Sequence, residues 1–301
     1  MAGIVRDSRP PAADDHTFAV DQVRLGDHGF AHHADDGVRW EVAGVFAAQG
    51  LARGEKVVII ADPAVPARRA RRNVASYVGS HEPELSSGQL AFMTMQEFVG
   101  HGHAFTVQRQ LRRIREETDR ACWAGYGGLR AFIDMAWVPA AGIDIDAVMD
   151  RELHAGEVFA DGRYAEICSY DRRVFPPAVI ETMRTGHPVA LLERPGDLDA
   201  FRSGDGMHFV GDADMATSAF FRDTLLAAFR DPDRRGIVLV DMSRLCFLSA
   251  GCAGDLLTLA ANAAGCERIT IRCSPQQART LERLGAGRIS RLTLVAQPGG
   301  R

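Results

Sequence analysis

The sequence lacks a positive net charge, a long apolar run and an apolar segment at its N-terminus. Its 301 residues carry 35 lysines and arginines against 39 aspartates and glutamates, which gives a net charge of −4. A chain without a basic field is poorly suited to non-specific nucleic-acid binding. No stretch approaches the roughly 20 apolar residues that cross a bilayer. We therefore predict a cytoplasmic protein that binds neither nucleic acid nor membrane.

The cysteines form neither a CxxC pair nor a framework of short spacings. Six are present, at positions 122, 168, 246, 252, 266 and 273. Several lie in apolar runs, as Cys168 and Cys246 do. This pattern predicts buried free thiols in a reducing compartment and is not that of a disulfide-dense domain.

The sequence also lacks a nucleotide-binding loop. A phosphate loop reads G-x-x-x-x-G-K-[ST], and the nearest stretch is GLARGEKV, from Gly50 to Val57. That stretch fails on spacing and lacks the terminal hydroxyl residue, and Lys56 is better explained as the start of a strand. No GxGxxG opens a helix after a strand either. We therefore predict neither a nucleotide site nor a cofactor.

Apolar runs alternate with amphipathic segments along most of the chain. Short runs rich in Val, Ile and Leu follow a glycine or a proline at 56–62, 90–94, 129–133, 164–168 and 189–192. Such runs are typical of strands buried on both faces, and the segments between them have helical periodicity. The alternation predicts an α/β fold with a parallel sheet covered by helices.

Composition divides the chain into four parts. Residues 1–17 lack periodicity and are predicted to form a flexible tail. Residues 18–195 form the larger α/β domain. The segment 196–205 is predicted to be a linker because it is rich in Gly and Asp. In residues 206–301 the pattern of strands and helices restarts on a smaller scale.

Three histidines and three aspartates lie within the ten residues DHGFAHHADD, which begin at Asp27. Neutral imidazoles and carboxylates are metal ligands, so His28, His32 and His33 suggest one alternative, a metal-dependent or hydrolytic enzyme. No H-x-x-x-H helix, cysteine pair or G-x-S-x-G nucleophile motif accompanies the cluster. A strand end that lines a polar pocket explains it more simply, and we predict no metal ion and no enzyme.

Residues from about 25 to 192 resemble the MEDS domain, a sensory module named from methanogen and methylotroph regulators, one of them responsive to dichloromethane. The similarity is carried by His28, GLARGEKV, GGLR running into DMAW, Glu152, CSYDRRVF and TGHP. The C-x-Y-D…F…H-P pattern is the most specific part. The resemblance implies a RecA-like α/β sandwich without a phosphate loop, which senses small, apolar molecules such as hydrocarbon derivatives.

We expect the ligand pocket of this domain beyond the C-terminal ends of the parallel strands, where α/β folds usually bind ligands. The candidate lining residues lie at predicted strand ends or in the family's motifs. They are His28, Arg130, Asp134, Trp137, Glu152, Cys168, Tyr170 and Asp171. A structural polar network is an equally good explanation for four of them, namely His28, Asp134, Glu152 and Asp171.

Residues from about 206 to 301 resemble the STAS domain, the fold of anti-sigma factor antagonists and of the cytoplasmic tails of sulfate transporters. GDADMAT at 211–217 is similar to the family's first motif, and 240–251 to its central strand and loop. Where the family has Phe-Ile-Asp-Ser-Ser-Gly, Ser249 replaces the aspartate, Ala250 the first serine and Gly251 the phosphorylated serine. Ser249 is therefore either a shifted phosphate acceptor or the N-cap of the next helix.

The second resemblance implies a docking and phosphorylation loop. Its candidate residues are Asp214, Asp241, Ser243, Ser249, Ala250 and Gly251. Together the two resemblances imply a non-enzymatic bacterial regulator that senses a small ligand and binds an anti-sigma factor of the serine-kinase type. Both families are compatible with a homodimer, which no sequence feature predicts. Some relatives of the sensory module carry a DNA-binding segment, but no helix-turn-helix pattern is evident here.

Overall fold

A computed structural model describes residues 13–79, 82–100, 106–204 and 206–297. This part of the chain forms two compact units. One unit is Phe18–Pro195, and the other combines residues 13–17 with the described residues from Gly196 onward. We describe each unit by itself.

The first unit is built on a seven-stranded sheet. Its strands, in chain order, are β1 (Thr17–Phe18), β2 (His28–His33), β3 (Lys56–Ile60), β4 (Leu90–Met93), β5 (Leu129–Asp134), β6 (Tyr164–Asp171) and β7 (Val189–Leu191). Their spatial order is β1-β7-β2-β6-β5-β3-β4. The described pairings among β2 to β7 are all parallel. This confirms the predicted α/β class with a parallel sheet.

Helices cover both faces of this sheet. They are α1 (Asp36–Ala52), α2 (Ala67–Val78), α3 (Glu82–Ser87), α4 (Met95–Val99), α5 (Val107–Trp123), α6 (Trp137–Ala140), α7 (Ile145–His154), α8 (Gly156–Phe159) and α9 (Pro177–Gly186). On one face, α1 and α2 pack against the sheet in a core that includes Phe46 of α1, Ile59 of β3 and Ile167 of β6. Helices α5, α7, α8 and α9 share the other with Phe30, Ile133 and Tyr164. Within the described residues, no helix combines the length and the apolar character that a membrane crossing requires.

Arg130, which was predicted as a ligand-binding residue, has a structural partner in the core, and its role in ligand binding stays a prediction. It lies on β5 and is fully buried. Its Nε donates to Glu55 Oε2 at 2.6 Å, and its guanidinium lies 4.5 Å from the centre of the Phe46 ring. A buried guanidinium needs such a partner, because desolvation of an unpaired charge is costly. Arg130 therefore joins the sheet to the end of α1.

The second unit contains a five-stranded sheet of order β12-β11-β10-β9-β8. Its strands are β8 (Leu198–Ser203), β9 (Gly206–Ala213), β10 (Ile237–Leu248), β11 (Arg268–Cys273) and β12 (Leu292–Ala296). Its helices are α10 (Ser218–Arg230), α11 (Ala250–Ala261) and α12 (Pro275–Arg283). Strands β8 and β9 are antiparallel, and the other described pairs are parallel. The core includes Phe209, Phe221, Leu256 and Ile271.

Two boundary predictions need correction. The predicted linker 196–205 carries strand β8, because Leu198 and Ala200 pack against the core and the strand pairs with β9. Residues 1–12 of the predicted tail lie outside the described residues. Residues 13–17 are not a flexible tail, because Thr17 and Asp14 hydrogen-bond each other through backbone and side chain and Thr17 is buried.

Removing the partner of Arg130 should destabilise the protein. We expect Glu55→Ala to lower the free energy of unfolding by about 3–5 kcal/mol, because it leaves a buried guanidinium unpaired. As a control, Glu181→Ala breaks the 3.0 Å pair with Arg184 near the surface and should cost less than about 1 kcal/mol. Urea unfolding at neutral pH measures both, and equal losses would contradict the assigned role of Arg130.

Candidate functional site

Polar side chains from two strands, a helix and the segment between α9 and β7 meet inside the first unit. His28 is the first residue of β2, and the parallel register places it beside Glu166 on β6. Cys168 follows on the same face of β6, because alternate residues of a strand point to one side. Glu152 comes from α7, and His187 lies between α9 and β7. All five side chains are buried.

One carboxylate oxygen is the centre of this cluster. Glu152 Oε2 lies 2.8 Å from His28 Nε2 and 3.1 Å from His187 Nε2. The Cys168 Sγ is 3.3 Å from the same oxygen and 3.7 Å from His28 Nε2. His28, Glu152 and Cys168 were predicted as candidate site residues, and the fold brings these three together.

Arg151 holds the two glutamates in place. Its Nη1 donates to Glu152 Oε1 and to Glu166 Oε1, both at 2.7 Å, and its Nη2 donates to Glu166 Oε2 at 3.0 Å. The Tyr164 hydroxyl donates to Glu166 Oε2 as well. Burial alone would raise the pKa of both carboxyls, but the Arg151 charge outweighs it and holds each pKa below its usual value. Both glutamates are therefore ionised near neutral pH.

Burial favours the uncharged forms of His28 and Cys168. Burial, together with the neighbouring His187, lowers the pKa of His28. Burial and the two glutamates raise the pKa of the Cys168 thiol well above its usual value. His187 Nδ1 lies 2.7 Å from the Met183 carbonyl oxygen. A carbonyl only accepts, so Nδ1 carries a proton and donates it to this oxygen, and Nε2 is the ring nitrogen that faces the cluster.

An open cleft of about 410 Å³ gives access to this cluster. Its lining is mostly apolar or small, with His28 and Glu152 as the polar members. Phe159 lies on one side, stacked on His28 with a ring separation of 4.7 Å. The other lining residues are Gly26, Gly156, Ala160, Gly186 and Pro188. The cleft lies where β2 and β7 begin, and the expected pocket beyond the C-terminal strand ends stays a prediction.

The C-terminal end of the sheet uses its charged residues for ion pairs. Arg39 Nη1 lies 2.7 Å from Asp134 Oδ2, and Arg173 binds Asp171 through both Nε and Nη2. The carboxylates of Asp134 and Asp171 thus have structural partners and do not line the cleft. The reason is their position. Asp134 and Asp171 are the last residues of their strands, whereas His28 is the first residue of β2, so the two aspartates lie at the opposite end of the parallel strands from His28.

The alternative metal site of His28, His32 and His33 does not form. His32 and His33 lie at the far end of β2, and four residues of strand span about 13 Å. The charged groups that act on the His33 imidazole include Asp171, which raises its pKa, and Arg39, which lowers it. The remaining two candidates belong to the core. Trp137 is buried at the start of α6, and Tyr170 stacks on Phe30 with a ring separation of 5.4 Å.

Three residues of the cluster were not predicted. Glu166 lies in a run that was predicted to be an apolar strand. Nothing in the sequence of such a run indicates that a glutamate within it is buried at a site. Arg151 directly precedes a predicted site residue, but its neighbours in sequence do not show which way it points. His187 was visible, because it belongs to the TGHP segment of the family's most specific pattern.

The candidate docking residues of the second unit occupy three places. Ser249 caps α11 by accepting from Cys252 N at 3.1 Å, and Ala250 and Gly251 open that helix. Asp214 begins the turn before α10. Asp241 and Ser243 lie inside β10, which continues to Leu248. The strand therefore extends through most of the 240–251 motif, and the docking role of these residues stays a prediction.

A family comparison agrees with the architecture of the first unit. The profile of the MEDS family, the methanogen/methylotroph, DcmR sensory domain, matches residues 27–188. The chain belongs to the MEDS family. A sensory role in regulation follows for the matched region, which contains the whole cluster and every lining residue of the cleft except Gly26. No curated protein matches this chain.

Two solved structures are similar to this MEDS protein at low identity. The flagellar accessory protein FlaH from Methanocaldococcus jannaschii is 12% identical, with a TM-score of 0.39, over 62% of this chain and 76% of that one. A KaiC-like protein from Pyrococcus horikoshii OT3 is 15% identical, with a TM-score of 0.40, over 61% of this chain and 76% of that one.

Lowering the pH should destabilise the MEDS unit over a pH range that is set by the pKa values of its buried histidines. Burial lowers the pKa of both His32 and His33 from 6.5 to about 4. The unfolded chain therefore takes up protons first, so stability is full above pH 6.5 and falls as the pH drops towards 4. The carboxyl pKa values of Glu152 and Glu166 are also lowered, so their contribution is lost at lower pH.

The variant His33→Gln should reduce the slope of unfolding free energy against pH in this window by up to about 1.4 kcal/mol per pH unit, because one proton is no longer taken up. Ala34→Gln is the control, since it adds the same side chain at the exposed neighbouring position. Urea unfolding at a series of pH values measures the slope. An unchanged slope in His33→Gln would refute the assignment.

Proposed function

We propose that this protein is a non-enzymatic cytoplasmic regulator, in which the MEDS unit binds a small apolar molecule and the second unit binds a regulatory protein. The observation that carries the proposal is the cleft above the His28–Glu152 pair. A largely apolar cavity with a few fixed polar groups is the usual form of a small-molecule site. The sensory character of the family supports the same conclusion.

We propose further that the second unit is a STAS-like module. The resemblance of residues 211–217 and 240–251 supports this, since the two motifs lie at the β9–α10 turn and at the entry to α11. The Cys252 thiol donates to the Asp214 carbonyl at 3.3 Å and joins the two segments. The docking partner implied by the resemblance is an anti-sigma factor of the serine-kinase type.

Exposed apolar side chains next to these segments favour a protein partner. Met215 in the turn before α10 is 90% exposed, and Phe247 near the end of β10 is 52% exposed. The register pairs Phe247 with Asp212, three residues before Met215, so the two side chains belong to one region of the unit. Large apolar groups that remain exposed at one place are typical of docking surfaces.

Ligand control of docking requires two states of the protein with different affinities. A ligand shifts such an equilibrium only by the difference between its affinities for the two states. In this proposal the occupied cleft changes the population of the docking-competent state. No covalent step is needed, so the missing serine at Gly251 is compatible with regulation.

The variant Gly156→Phe should abolish ligand binding without unfolding the protein. Gly156 lines the cleft, and a Cβ added there meets no atom within 4 Å. A phenylalanine therefore fills the cavity without a backbone clash. Thermal shift against dichloromethane and short-chain alcohols and aldehydes measures binding. Gly287→Phe, at another open glycine in the second unit, is the control. Equal shifts in Gly156→Phe and wild type would contradict the cleft as the site.

Docking should be sensitive to charge at the start of α11. We expect Ser249→Asp to weaken capture of a kinase-type anti-sigma factor by the full chain at least tenfold, and Ser249→Asn to leave it unchanged. Both residues cap helices as well as serine does, so the pair separates charge from helix stability. Phe247→Asp should also weaken capture, whereas Leu284→Asp, at an exposed apolar residue elsewhere in the unit, should not.

Affinity capture from the native bacterium, with partners identified by mass spectrometry, measures this effect. The proposal of partner docking fails if no anti-sigma factor or related kinase is recovered with the wild-type chain. It also fails if Ser249→Asp and Ser249→Asn behave alike.

A further inference from the structure

Four different ligand-type atoms converge at the base of the cleft. They are His28 Nε2, Glu152 Oε2, Cys168 Sγ and His187 Nε2, and all lie within 4.8 Å of one another. Imidazole nitrogen, carboxylate oxygen and thiolate sulfur are the donors that zinc and similar divalent ions prefer. The set comes from α7, β2, β6 and the segment before β7, so it exists only in the folded chain.

The spacing of these atoms fits a four-coordinate ion. Bonds of about 2.0–2.3 Å in a tetrahedral site place the ligand atoms roughly 3.3–3.8 Å apart. Here the Glu152 Oε2 distances to the other three atoms are 2.8, 3.1 and 3.3 Å, and Cys168 Sγ lies 3.7 Å from His28 Nε2. To admit the ion, Glu152 Oε2 would move outward by a few tenths of an ångström, and the atoms that lie up to 4.8 Å apart would move closer.

The orientation of His187 is a second, independent observation. Its side chain is fully buried, and Nε2 has no hydrogen-bond donor among the described residues. Because Nδ1 donates to the Met183 carbonyl, Nε2 is the ring nitrogen that faces the cluster, 3.1 Å from Glu152 Oε2. Metal-binding histidines are oriented in this way, with the other ring nitrogen bound to a carbonyl.

The carboxyl groups of Glu152 and Glu166 share the one guanidinium of Arg151. Arg151 occupies Glu152 Oε1 and leaves Oε2 for the ion.

We propose that His28, Glu152, Cys168 and His187 bind one divalent ion of the zinc class at the base of the cleft. The ion borders the cleft through His28 and Glu152, the two members of the set that line it. A small molecule with a weak donor atom can therefore reach the metal from the cleft. The site lies within the proposed sensor, but metal binding requires neither a sensed ligand nor a docking partner.

Cobalt(II) titration of the metal-free full chain tests the proposal, with the element content of the zinc-grown protein measured in parallel. We expect one ion per chain and a thiolate-to-cobalt charge-transfer band in the near ultraviolet. Cys168→Ser should lose that band, and His187→Gln should weaken binding by at least about tenfold. The controls are Cys273→Ser and His33→Gln, which replace a buried cysteine and a buried histidine outside the cluster and should leave the titration unchanged.

The proposal fails if the folded wild-type chain, checked by circular dichroism, gives no saturable band. It also fails if Cys168→Ser keeps the band. Should Cys168→Ser or His187→Gln not fold, X-ray absorption of the zinc-loaded wild type decides, since one sulfur ligand is expected and none would overturn the site. A protein that binds the ion but responds to no small molecule would keep this inference and refute the proposed sensing function.

Discussion

The Arg151 guanidinium is the interaction on which the organisation of the sensory unit depends. It binds the carboxylates of Glu152 and Glu166 from a fully buried position, and so joins α7 to β6. Two ionised carboxylates without it would repel each other and lose their hydration. With it, both remain ionised inside the core, and Glu152 Oε2 is held towards His28, His187 and the cleft.

The two ends of the parallel sheet have opposite roles in this protein. At the C-terminal end, ion pairs such as Arg39–Asp134 connect the elements to one another. Asp35 is the N-cap of α1, the helix that follows β2, and its carboxylate accepts from Val38 N at 3.0 Å. Asp36, the first residue of the helix, adds a second negative charge. Helix N-termini attract anions, but here the amides already face carboxylates. The open cleft lies instead where β2 and β7 begin.

Much of the fold was predictable from sequence, whereas the composition of the site was predictable only in part. Apolar runs such as 56–62 and 129–133 indicated buried parallel strands, because those strands are apolar on both faces. Family motifs indicated His28, Glu152 and Cys168. The partners Arg151 and Glu166 were missed because a buried ion pair depends on which elements pack together, and local sequence does not encode that. For the same reason the sequence did not indicate that Arg130, two residues after the GG pair of a family motif, pairs with Glu55.

The capped start of α1 has a consequence for the proposed sensing function. Asp35 and Asp36 place carboxylates at the junction of β2 and α1, so an anion bound there would meet like charges. In the proposed function, binding alone sets the output. That output would follow the concentration of the effector and reverse when the effector is removed.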